Sequence, residues 1–235
     1  MCEMNMGTRS QVKASIRQGL VTVNGISVKN ADFKIDEFLD KVCFQGQPLS
    51  YSKYVYYMLN KPKGVVSATR DNTAHTVVSL LGEDGRKDIF PVGRLDKDTT
   101  GLLLLTNDGE LAHSLLSPKK HVDKTYRVTV AHPLSEEDIY KMEHGLDIGE
   151  GKPTLPCCIS VLDESNLLLT VHEGRFHQVK RMLQAVDNQV LELNRISFGD
   201  LELDRDLNPG EYRALTEGEI RQLKKGTMQG DTNEA

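Results

Sequence analysis

The sequence predicts an α+β chain in two parts, a small basic module ahead of a larger domain. Three observations lead there. Strand-like and helix-like segments alternate irregularly rather than as repeated βαβ units. A basic helix and an Asn-Gly hairpin stand together at the front, before a segment with no apolar period. A fully apolar run, Leu102 to Leu105, lies between two polar turns in the middle, as a strand covered on both faces requires.

Taken in order, Thr8-Arg9-Ser10-Gln11 is a capping box that opens a short helix ending at Gly19. Arg9, Lys13 and Arg17 fall four residues apart and form one basic stripe, with Val12 and Ile16 on the apolar side. Val21 to Val23 and Ile26 to Val28 flank Asn24-Gly25 as a hairpin, and the module closes near Gly46-Gln47-Pro48. The expected boundaries are 1–47 for the module, 48–53 for a linker, 54–225 for the second domain and 226–235 for a disordered tail. Within the second domain, Tyr54 to Leu59 reads as a strand and 74–81 as a helix. The apolar strand after Thr99 follows, then a helix over 110–116 and a strand from Thr125 to Ala131. A helix capped by Ser135, a strand over 167–171 and a helix over 176–186 come next. The Thr216–Glu219 capping box opens a last helix.

The chain has 235 residues, with 38% hydrophobic and 27% charged residues and a net charge of −5. No apolar run approaches the ~20 residues that span a bilayer, and no basic-then-apolar leader opens the chain, so neither a membrane nor a secreted protein is expected. Cys2, Cys43, Cys157 and Cys158 include no C-x-x-C pair, which fits free thiols in a reducing cytoplasm. Dinucleotide, phosphate-loop, G-x-S-x-G and H-E-x-x-H patterns are all lacking, which argues against nucleotide, serine-hydrolase and zinc-protease chemistry. The negative net charge conceals an uneven chain. Residues 7–29 carry four cations and no acid, whereas 132–166 carry eight acids and two bases. A local basic face can therefore meet a polyanion while the whole molecule stays acidic.

Three constellations can carry chemistry. Gly93-Arg94-Leu95-Asp96 forms a charged turn before the buried strand, where a carboxylate can serve as nucleophile or base. Lys124-Thr125-Tyr126 offers an aromatic face and a phenol at a strand entry. In Glu173 to Leu183, the spacing of Val179, Met182, Leu183 and Val186 makes a core stripe and puts Lys180 at its edge, with His177 and Arg181 on the polar side. Taken singly, each has an ordinary structural explanation: a turn, a strand entry, a solvated face.

Together with Asn60-Lys61-Pro62-Lys63-Gly64, and in this order, the constellations resemble the RNA pseudouridine synthases, in particular the small-subunit ribosomal RNA branch, the RsuA family. The front unit resembles the RNA-binding module of ribosomal small-subunit protein four, although the chain starts at Met1-Cys2-Glu3 and lacks most of that module's first helix. The resemblance implies a catalytic domain on a mixed, mainly antiparallel sheet. It also implies an isomerase that needs no cofactor or metal and acts on a flipped uridine, expected in 16S rRNA, as a cytoplasmic monomer. A 23S rRNA uridine, or a non-catalytic role in ribosome assembly, is the alternative. By resemblance Asp96 is the nucleophile, Tyr126 stacks on the base and helps remove the carbon-five proton, and Lys180 pairs with Asp96, with Arg181 as the alternative partner. Arg94 fills the vacated stack and Leu183 packs beneath the base. Arg175, His177 and Arg181 contact substrate, while Arg9, Lys13, Arg17, Lys61 and Lys63 contact RNA. A well-buried Lys180–Asp96 pair is expected.

Overall fold

The computed structural model describes residues 1–228 except 3, 5, 37, 38, 50, 51 and 85. The front part holds helix α1 (Arg9–Arg17) and a four-stranded sheet of order β2-β1-β3-β4, with β1 Val21–Val23, β2 Ile26–Ser27, β3 Val42–Phe44 and β4 Gln47–Pro48. The Thr8 capping box forms as its residue types dictate: Thr8 Oγ1 accepts from Gln11 N, and the Gln11 side chain accepts from Thr8 N. Asn24 and Gly25 both take positive φ, which the tight hairpin between β1 and β2 requires. Pro48 belongs to β4, so the front sheet takes the first residue of the expected linker.

The second part is a nine-stranded sheet, mixed and mainly antiparallel, of order β13-β5-β7-β11-β8-β10-β9. Its strands are β5 Tyr56–Lys61, β6 Phe90–Pro91, β7 Thr100–Thr106, β8 Lys124–Val130, β9 Cys158–Val161, β10 Asn166–Val171, β11 Val190–Phe198, β12 Leu201–Glu202 and β13 Tyr212–Ala214. β6 pairs with the end of β7, β12 pairs with β11, and among the described strands only the β7–β11 join is parallel. That join is tight: a Cβ on Gly101 would lie 2.3 Å from the Arg195 carbonyl oxygen, and Gly101 sits at φ +99. The helices are α2 Gly109–Leu116, α3 Glu136–Glu143, α4 Gln178–Gln184 and α5 Glu217–Met228.

The apolar run divides by strand alternation. Leu102 and Leu104 pack under α2 and α5 with Tyr56, Met58 and Leu223, whereas Leu103 and Leu105 face the opposite layer with Leu59, Val77, Leu81 and Ile89. A third core joins Met142 of α3 and Val179, Met182 and Leu183 of α4 to β8 and β10. Asp108 caps α2 by accepting from Leu111 N and also accepts from Tyr56 Oη at 2.7 Å, which ties that helix start to β5.

Three expected elements differ. Over 74–81 there is no α-helix. Val66 bridges Thr76 and keeps that stretch extended, and 3-10 turns over Val78–Asp84, broken by a kink at Gly82, follow. The helix expected over 176–186 is confined to Gln178–Gln184, because His177 at φ 50 and Asp187 at φ 54 are left-handed and cannot belong to it. Helix α5 runs to Met228, so 226–228 are helical rather than disordered, and 229–235 lie outside the described residues.

Candidate active site

The turn between β6 and β7 presents Asp96, and its shape is fixed from three sides. Ser67 Oγ donates to Leu95 O and accepts from Leu95 N. Gly64 N donates to Lys97 O at 2.8 Å. From below, the Lys61 ammonium donates to Thr99 O and Pro62 O. Lys61 is fully buried at 0% exposure, and burial lowers its pKa to about 8 despite the pull of Asp98 and Asp96. Lys61 is therefore a tether beneath the turn and cannot reach RNA phosphates, which corrects its expected role. Lys63, two residues on, is exposed beside Lys97.

Helix α4 brings the cations to this turn. Lys180 Nζ lies 3.1 Å from Asp96 Oδ2 and 2.6 Å from Asp98 Oδ1. Burial works against the ammonium, but its hydrogen bonds with Asp98 and Asp96 outweigh that and raise its pKa. The Lys180 hydrogen bond lowers Asp98 in turn. The Lys180 and Asp96 side chains are 26% and 29% exposed, so the expected desolvated pair is a partly wet triad. His177 Nε2 stands 3.4 Å from Asp96 Oδ1. Arg181 turns the other way, to Glu150, Ile148 O and Phe176 O, so Lys180 is the partner of Asp96.

A cavity of about 140 Å³ opens beside Asp96. Tyr126, Arg94, His177, Lys180 and Arg175 line it. Arg175 is held within the wall: it donates to Glu173 and to the carbonyls of Lys152 and Pro153. Leu183 is fully buried in the α4 core and does not line the cavity. Val171, Val179 and Leu193 contribute to its apolar wall, and Leu183, expected directly beneath the base, lies in the core behind that lining. Arg9, Lys13 and Arg17 are exposed along α1, away from the cavity lining.

Four features in and around the cavity were not anticipated from the sequence. Asp98 shares Lys180, a consequence of the turn folding its two carboxylates toward one helix. Lys124 is half-buried and lines the cavity, as do Arg195 and Phe198. Arg195 could have been found, since Leu193 and Arg195 share a strand face by period two and Leu193 is apolar.

A family described as RNA pseudouridylate synthase matches residues 55–185, and the S4 domain matches residues 1–43. An RNA pseudouridine synthase of Bacillus subtilis is 48% identical over 224 residues, 93% of this chain and 94% of that protein. The ribosomal small subunit pseudouridine synthase A of Escherichia coli K12 is 43% identical over 215 residues, 91% of this chain and 93% of its own length. A crystal structure of a pseudouridylate synthase, 42% identical, superposes with a TM-score of 0.70 over 92% of this chain and 94% of its own.

Proposed function

The chain belongs to the RNA pseudouridylate synthase family, and from that premise we propose that it converts a uridine of 16S ribosomal RNA to pseudouridine with Asp96 as the nucleophile. The observation that carries the reading is the placing of Asp96 at the cavity mouth, 3.1 Å from Lys180 and in the same lining as Tyr126.

The target uridine leaves its stack and enters the cavity, since the bonds to be exchanged cannot be reached within a helix. The Asp96 carboxylate attacks the ribose C1′, and the C1′–N1 electron pair leaves with the base. The base turns, C5 bonds C1′, and the pair of the C1′–Asp96 bond returns to the carboxylate. Loss of the C5 proton and protonation of N1 complete an isomerisation, with no net oxidation or hydrolysis. Lys180 lies against the Asp96 carboxylate and orients it toward the cavity. Tyr126 stacks on the ring and helps draw off the C5 proton. Arg94, exposed at the mouth, takes the place of the flipped base.

Residues 1–47 act as an RNA-holding module joined through 48–53 to the catalytic unit. Arg9, Lys13, Arg17 and Lys63 make phosphate contacts that position the RNA without reading its sequence. The small-subunit substrate rests on relatives whose names state it, among them those of Escherichia coli and Vibrio cholerae.

Mapping pseudouridine in both ribosomal RNAs after incubation with the protein tests this reading. One new pseudouridine in the small-subunit RNA is expected. A product confined to large-subunit RNA, or none in either, contradicts it.

A further inference from the structure

Arg195 is 2% exposed, yet its charge is incompletely matched. Its Nε donates to Leu102 O at 2.8 Å, and its Nη2 is buried with no hydrogen-bond partner. Lys124 stands beside it on the neighbouring strand, and its ammonium donates to the Val122 carbonyl. Both cations lie over the ring of Phe198, Arg195 at 5.0 Å and Lys124 at 5.5 Å from its centre. Among the described residues no carboxylate forms a salt bridge with either one. The acids whose charges reach Lys124 are engaged elsewhere: Asp123 with His172 at 2.6 Å, and Glu173 with Arg175 at 3.0 Å. A buried charge without a counter-ion is costly, so buried Arg195 and half-buried Lys124 on one cavity wall point to an anion that visits.

We propose that Lys124 and Arg195 form an anion seat that stabilises the uracil ring, as its N1 anion, while the ring is detached from ribose. This rests on the nucleophilic reading of Asp96. When the C1′–N1 bond breaks, the electron pair stays on N1 and spreads to O2 and O4, while C1′ is held by the Asp96 oxygen. The charge exists only in this interval, and donors fixed in advance at a poorly hydrated wall act most strongly on such a charge. The depth of Arg195 favours the ring over a backbone phosphate, which stays at the mouth near the exposed Arg94. Burial and the nearby Arg195 lower the Lys124 pKa to about 8, which leaves it protonated at neutral pH and short of compensating charge.

The probe is 5-nitrouracil, a uracil analogue whose ionisation is followed by its ultraviolet spectrum. With the wild-type protein in excess, its ionisation midpoint should fall by at least one pH unit, a tenfold preference for the anion. Lys124→Met should abolish the shift, and Lys124→Arg should keep it. Thermal melts of both variants confirm the fold. An unshifted midpoint with the wild-type protein, or an equal shift with Lys124→Met, overturns the proposal. Asp96→Asn should preserve the shift while abolishing isomerisation. If that variant still isomerises uridine, the catalytic reading fails whether or not the shift is seen, so the two failures are separable.

Discussion

At the scale of single residues, the proposed chemistry depends on the Lys180 ammonium that stands beside Asp96. Lys180 divides its ammonium between Asp96 and Asp98 and remains about a quarter exposed. Partly solvated pairs contribute little to stability, so Lys180→Met should cost less than ~1 kcal/mol of unfolding free energy. The same change should lower the single-turnover rate by about 10²-fold, the scale of losing one preorganised electrostatic partner. A large melting shift with intact activity would reverse both expectations. Helical spacing located Lys180 at the edge of the core stripe. It could not give depth, because the level at which a helix edge meets solvent is decided by the loops around it. Lys61 makes the same point from the other side. A lysine between Asn60 and Pro62 reads as exposed and basic, but the strand that carries it is paired on both sides, by β13 and β7, and Lys61 is buried.

At the scale of elements, the parallel meeting of β7 and β11 positions the Asp96 turn against the Tyr126 wall. Gly101 permits it, so Gly101→Ala should destabilise the fold by about 3 kcal/mol through backbone clash and left-handed strain. Chemical denaturation checks this. Helix α5 closes the sheet from the other end. Arg213 donates to both Glu219 and Asp204, and Thr216 N donates to Glu219. The Arg213 hydrogen bonds, with those of Thr216, hold Glu219 down at about 2 against its burial. Its folded pKa lies below the unfolded value, so its stabilisation is complete above the ordinary glutamate range and is lost as pH falls from about 4.3 toward about 2. Glu219→Gln should melt lower than wild type at pH 7, and the gap should close over that window. A gap unchanged at pH 2 would contradict the assignment. These elements were mostly legible. The capping boxes at Thr8 and Thr216, the Ser135 cap, the Asn24-Gly25 hairpin and the strand alternation of Leu102 to Leu105 are local chemistry, and all formed. The segment over 74–81 was not legible, because its extended start depends on Val66, a partner eight or more residues away.

At the scale of the whole molecule, the two sheets share no strand pairing among the described residues, and the second begins where Arg86 donates to Ser52 O and Asn107 donates to Lys53 O. A chain starting at Ser52 should therefore fold and keep its cavity. Without Arg9, Lys13 and Arg17 its RNA affinity should fall, and the slope of log affinity against log salt should flatten by about 2 to 3, as for three lost phosphate contacts. An unchanged slope would show that the α1 stripe does not touch RNA. The α+β class and the two-part order were readable from patterning. The cavity was readable only in fragments, since Asp96, Tyr126, Lys180 and Arg195 come from four separate stretches and meet only through sheet order. The measurement that reaches the central claim most directly is single-turnover conversion of small-subunit ribosomal RNA by wild-type protein and by Asp96→Asn, with RNA affinity recorded in parallel. Asp96→Asn keeps the shape and removes the charge, so undetectable pseudouridine is expected with RNA affinity nearly unchanged. Turnover within tenfold of wild type would contradict it.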